Sequence, residues 1–163
     1  MIKKGLILMF ITTFMFTLIG CGSNFNAIMY SDTKTWFKDD FLMENLTVGS
    51  HYIIDDEVMV ADETNPKFVK YILRTNEEFN SKFNKFPPMI NFEDEMLLIY
   101  IFTTTFSGPY NISEISLNNK ILNIDFRAEK SKSFGDNLSS PQQKCLVVKL
   151  DKMEITDANF LAK

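Results

Sequence analysis

Residues 96–103 read "MLLIYIFT". Eight residues pass without a charge and without apolar–polar alternation. A strand with one wet face alternates; a strand covered on both faces reads as a continuous apolar run. The stretch therefore predicts a central strand with cover on each side. The flanking segments supply that cover. "KFVKYILR" (67–74) follows the turn signal Asn65-Pro66 and reads as a strand. "KCLVVKL" (144–150) turns Leu146, Val148 and Leu150 to one side, with Cys145 as a small packed residue. "ILNIDFRAE" (121–129) alternates Leu122, Ile124 and Phe126 with polar residues, a half-exposed strand.

Between these lie turns. Ser107-Gly108-Pro109 leads into "YNISEISL" (110–117), whose apolar parity slips from Tyr110 and Ile112 to Ile115 and Leu117. A bulge near Ser113-Glu114 restores a single apolar face. Asn118-Asn119-Lys120 makes a hairpin turn. "HYIIDDEVMVAD" (51–62) reads as a hairpin or a bulged strand about its acidic centre, and "MEITDANF" (153–160) as a last strand. Residues 130–143 are polar with Gly and Pro and read as a long loop. Thr75-Asn76-Glu77-Glu78 is a capping box, and Phe79 and Phe83 share a helical face ahead of Pro87-Pro88. One short helix follows, near residues 76–84. Residues 35–50 carry Trp36, Phe37, Phe41, Leu42 and Met43 and should dock on the domain, as helix or strand. The class is α+β and predominantly β: a mainly antiparallel sheet, or a two-layer β-sandwich, of about six to eight strands.

The N-terminus states an address. Lys3 and Lys4 precede an uncharged apolar stretch from Gly5 to Ile19, the layout of a secretory signal. The stretch is shorter than the ~20 residues a spanning helix needs. It ends on Leu18-Ile19-Gly20-Cys21, which resembles the lipobox of bacterial lipoproteins. That resemblance implies cleavage before Cys21, a diacylglycerol on its thiol, and a protein held at the extracytoplasmic face of the cell envelope by lipid. The organisation expected is a signal over 1–20, a tether over 21–34 and one globular domain over 35–163. The three Asn-x-Ser/Thr triplets, at Asn45, Asn111 and Asn137, then read as chance.

Composition narrows the activities. Removing residues 1–20 takes the formal charge from −4 to −6, because Lys3 and Lys4 leave and no acidic residue does. An acidic chain is a poor nucleic-acid partner. The single histidine, His51, excludes a multi-histidine metal site within one chain. A catalytic triad would have to use His51, and no nucleophile elbow accompanies it. The six glycines form no phosphate cradle, and no cofactor is implied. Acidic pairs and triplets (Asp39-Asp40, Asp55-Asp56-Glu57 and Glu93-Asp94-Glu95) match no calcium loop and read as solvated turns.

Residues 92–150, with the helix ahead of them, are similar in order to the C-terminal domain of PrcB-type lipoproteins, accessory subunits of a surface protease complex. The family's Thr-Gly-Gly-Tyr turn is represented here by Ser107-Gly108-Pro109-Tyr110, and its Pro-Tyr step by Pro141 with Gln142 and Gln143 behind it. The resemblance transfers no catalytic residue. With no catalytic constellation in the sequence, the reading expected is a non-enzymatic module that binds a protein partner, which the resemblance supports, with Gly108, Pro109 and Tyr110 as the candidate interaction loop. Two alternatives stay open: a small protease inhibitor presenting residues 103–110, and an enzyme built from scattered carboxylates and tyrosines.

Overall fold

The computed structural model describes residues 25–49, 52–55, 58–61, 64–129 and 137–163. Nine strands form among them: β1 (Ala27–Tyr30), β2 (Tyr52–Asp55), β3 (Val58–Ala61), β4 (Phe68–Leu73), β5 (Glu95–Phe106), β6 (Tyr110–Asn118), β7 (Ile121–Ala128), β8 (Asn137–Asp151) and β9 (Asp157–Ala162). Two short helices, α1 (Asp39–Glu44) and α2 (Asn76–Lys82), and a 3-10 turn at Lys34–Trp36 complete the described elements. The chain is α+β and predominantly β.

The apolar run lies in β5, which pairs antiparallel with β4 on one side and β8 on the other. β1 adds beyond β8, giving the order β1-β8-β5-β4. Successive side chains point to opposite faces. On one face Leu97, Ile99 and Ile101, with Val147 of β8, meet Phe37, Phe41, Phe83 and Phe92 from the helical segments. On the other, Met96 and Leu98, with Val148 and Leu150, meet Leu122, Ile124 and Ala158 of a second sheet. That sheet has the order β6-β7-β9. The main sheet is thus the middle of three layers, which is why its central strand does not alternate. Leu97, Leu98, Ile99 and Ile101 are fully buried, each stabilising the fold by about 1.5–3 kcal/mol relative to exposure.

Local signals explain the rest. The capping box closes as the sequence requires: Glu78 N–H donates to Thr75 Oγ1 at 3.2 Å and Thr75 N–H to Glu78 Oε2 at 3.1 Å. The bulge falls between Ile112 and Glu114, and it turns both Ile112 and Ile115 toward the core. Asn119 and Lys120 take φ of 49° and 64°, the mirror-image turn that suits the twist of a two-residue hairpin. β2 and β3 pair antiparallel, so the hairpin reading of 51–62 holds. Residues 35–50 choose helix: Asp39 and Asp40 occupy the first turn of α1, where negative charge suits the N-terminal dipole, and Phe37 and Phe41 stack inward with centroids 5.1 Å apart.

Three expectations are corrected. Residues up to Lys34 are not all tether, since Ala27 pairs with Leu150 and Tyr30 with Val147. The loop expected over 130–143 is strand from Asn137 onward. β5 runs to Phe106, and the amides of its far end need partners; Gln143 and Gln142 face Thr103 and Thr104. Pro141, which has no N–H to offer, falls within the register shift that follows. β9, the last strand expected, runs parallel to β7. β8 ends beside the start of β5, and the short link after it delivers Thr156 N–H to Lys120 O at 2.8 Å, beside the start of β7. The chain must then run alongside β7 in the same direction. With β1 counted, the described strands number nine, one above the expected range of about six to eight.

Gly49 marks where the α1 segment meets the sheet. Its φ is +70°, and a Cβ there would stand 2.5 Å from Thr103 Cβ. Gly49→Ala should lower stability by about 1–3 kcal/mol, read from urea unfolding midpoints at unchanged slope. An unchanged midpoint would refute the close approach.

Candidate functional site

The turn between β5 and β6 is the site singled out by sequence. Its three candidate residues separate into different roles. Tyr110 is buried, with its ring edge-on to Phe102, Phe106 and Phe126 at centroid distances of 5.7, 5.4 and 5.6 Å. Its hydroxyl bonds with Thr104 Oγ1 at 3.0 Å. Its backbone is held from the far side by Ser31: Tyr110 N–H donates to Ser31 Oγ at 2.8 Å, and that hydroxyl donates to Tyr110 O at 3.1 Å. Tyr110 therefore fixes the loop and is not displayed by it.

Gly108 serves close approach. A Cβ there would stand 2.6 Å from Phe106 Cζ. Its φ is not among the positive values of the described residues, so the turn does not use a glycine's left-handed freedom. Pro109 is exposed, and its carbonyl accepts from Glu129 N–H at 2.9 Å. The displayed part of the loop is thus Ser107 to Pro109. Lys144 pins its base by donating to Ser107 O at 2.8 Å, with Asp32 at 3.7 Å from the same ammonium. Thr103 and Thr104, expected in the presented loop, are strand residues opposite Gln143 and Gln142. Ser31 and Lys144 were not legible as supports, because they are distant in sequence from the turn and no local pattern marks them.

The remaining chemistry-bearing groups are committed to the fold. Glu95 pairs with Lys149 at 2.7 Å, and the Asn91 N–H donates to the same carboxylate at 2.9 Å. The Lys149 bond first, and the Asn91 amide second, hold Glu95 below its ordinary carboxyl value. Lys70 similarly holds Asp157 low, aided by the Ala158 amide. Glu93 and Asp94 belong to a turn organised by Asn91, which accepts from Glu93 N–H and donates to Asp94 Oδ2. Among the described residues, no three His, Cys, Asp or Glu side chains converge as a metal site would require. Burial pushes the Cys145 thiol up to about 11, only partly opposed by the charge of Lys34. It stays protonated at neutral pH and is a poor nucleophile. Asn45 is buried, donating to Phe41 O at 2.8 Å and accepting from the Tyr71 hydroxyl at 2.9 Å. Cys21 and His51 lie outside the described residues, as do Asn137's side chain and the centre of the 55–57 triplet.

No protein-family model matches the chain, and comparison with curated proteins and with solved structures finds no match.

The Glu95–Lys149 pair predicts a pH dependence. A carboxyl lowered by folding contributes stability in full above its unfolded value, near 4.5, and loses that contribution as pH falls through the folded value. Glu95→Gln removes the dependence. The wild-type chain should therefore lose stability more steeply than the variant on acidification below that value, in denaturant titrations at stepped pH. Equal slopes would show that the pair does not couple to folding.

Proposed function

We propose that this chain is a lipid-anchored protein of the bacterial cell envelope, facing away from the cytoplasm, whose domain is a non-catalytic module that binds a protein partner. Within that class, an accessory subunit of a surface protease complex is the reading favoured. The observation that carries it is the position of Leu18-Ile19-Gly20-Cys21, directly ahead of a domain whose first strand begins at Ala27. An acylated Cys21 would place that domain at the membrane with almost no intervening chain.

The commitment of reactive groups to packing supports a binding role. Tyr71 and Tyr110 spend their hydroxyls on Asn45 and Thr104, and Tyr100 stacks on Phe160 with centroids 4.4 Å apart. A carboxylate–tyrosine site would need such groups turned toward a shared hollow. The order that resembles the accessory subunits, strand, Gly-containing turn, hairpin and late strand, corresponds to β5 through β8, and Pro109 is the exposed residue of its turn. An inhibitor's loop has less support, because Thr103, Thr104 and Tyr110 are held in the sheet and core.

Two experiments test the proposal. Cys21→Ser should abolish acylation and leave an unprocessed precursor, read by intact mass and membrane fractionation. Mature, membrane-fixed protein in that variant would refute the anchor. Crosslinking of the acylated protein in its native membrane, with partners identified by mass spectrometry, should yield a recurrent extracellular protease whose capture falls with Pro109→Glu. No partner above background would refute the interaction module.

A further inference from the structure

One apolar strip is left on the outside of the first strand. Ile28 and Tyr30 project from the same side of β1, since Ala27 and Met29 pack the other way, toward the second sheet. Tyr30 meets Trp36 and Phe86 in a mutually edge-on trio with centroids 5.5, 5.4 and 6.0 Å apart, and each ring is only partly buried. Lys149 stands opposite Ile28 in the register and donates to Met89 O at 3.2 Å, which brings Met89 to the other end of the strip. Ile28 is 47% exposed and Met89 90%.

We infer that this strip, Ile28, Tyr30, Trp36, Phe86 and Met89, lies against the lipid bilayer that holds the anchor. The inference rests on the proposed acylation of Cys21 and adds the orientation of the domain. The length of chain is the first argument. Four residue steps separate Cys21 from Phe25, where the described fold begins, so the lipid-bearing residue is within about 14 Å of it even at full extension. β1 itself spans only about 13 Å. β1 is therefore the strand closest to the anchor along the chain, and the exposed part of the strip beside it lies within reach of the membrane surface.

The chemistry of the strip is the second argument. Trp and Tyr pair an apolar ring with a polar tip and favour the headgroup boundary. Lys34 lies in the same 3-10 turn as Trp36, and Lys85 N–H donates to Trp36 O at 3.2 Å. Both lysines are exposed, and their stems let the ammonium groups reach phosphates while the rings enter. The five residues of the strip carry no acidic side chain of their own. Phe68, also exposed, stands apart from it on β4, the opposite edge of the main sheet.

Trp36 is the one tryptophan of the sequence, so its fluorescence reports this strip alone. The full acylated chain is reconstituted into phosphatidylcholine vesicles with and without bromine on the upper acyl carbons. Contact at the headgroup–acyl boundary predicts a roughly twofold loss of emission in the brominated vesicles. Ile28→Glu with Met89→Glu, at two exposed positions, should restore emission while the acyl mass on Cys21 persists. Equal emission from both kinds of vesicle, with Cys21 acylated, would overturn the orientation alone and leave the strip to a protein partner. Absence of acyl mass on Cys21 would overturn the orientation together with the anchor.

Discussion

The structure depends on burying β5 from both sides. A strand apolar on both faces from Met96 to Phe102 cannot satisfy them with one covering layer. The aromatic residues around α1 and α2 take one face and the β6-β7-β9 sheet takes the other. Each cover is incomplete without the other. The helical segments are too short to be stable alone, and a three-stranded sheet with one apolar face needs something to lie on. The central strand is therefore the common partner through which the layers become one domain.

The edges of this stack are closed by polar contacts that join the two sheets. On one side Ser31 links the end of β1 to Tyr110 of β6. On the other, Lys70 of β4 reaches Asp157 and Ala158 O at the start of β9, and Arg74 donates to Ile155 O at 2.6 Å. These contacts lie where an uncovered sheet edge would otherwise invite pairing with another chain. Among the described residues, Lys70, Asp157 and Arg74 are charged side chains used to hold the sheets together.

What could be read from the sequence was what local chemistry decides. The capping box at Thr75, the bulge before Glu114, the hairpin at Asn119 and the double burial of residues 96–103 each follow from a few neighbouring residues. What could not be read was decided by distant partners. β1 has too little length to announce itself, and becomes a strand because β8 offers it an edge. Asn137 to Gln143 look like a loop because their polar side chains carry no periodic signal, while β5 supplies the backbone partners that make them strand. The candidate turn was located correctly, but Tyr110 belongs to the core. A tyrosine after a turn reads the same whether its ring points outward or inward, and only the rings of Phe102 and Phe126 decide it. Cys145 was legible as core because apolar residues follow it in an evident strand.

The pairing of β1 with β8 also constrains how the chain comes to be folded. Thr33 donates its hydroxyl to Cys145 O across 112 positions of sequence, and the strand beside it is the one nearest the proposed anchor. A chain delivered across a membrane from its N-terminus presents β1 first and its partner almost last. The first strand must wait, unpaired, while the rest of the polypeptide arrives. Non-local pairings of this kind are formed slowly, because the loop must close before the contact stabilises it. In that interval an anchored N-terminus would keep the waiting strand at a fixed place and shorten the search of β8 for it. Lipid attachment would then bear on assembly of the domain as well as on its address.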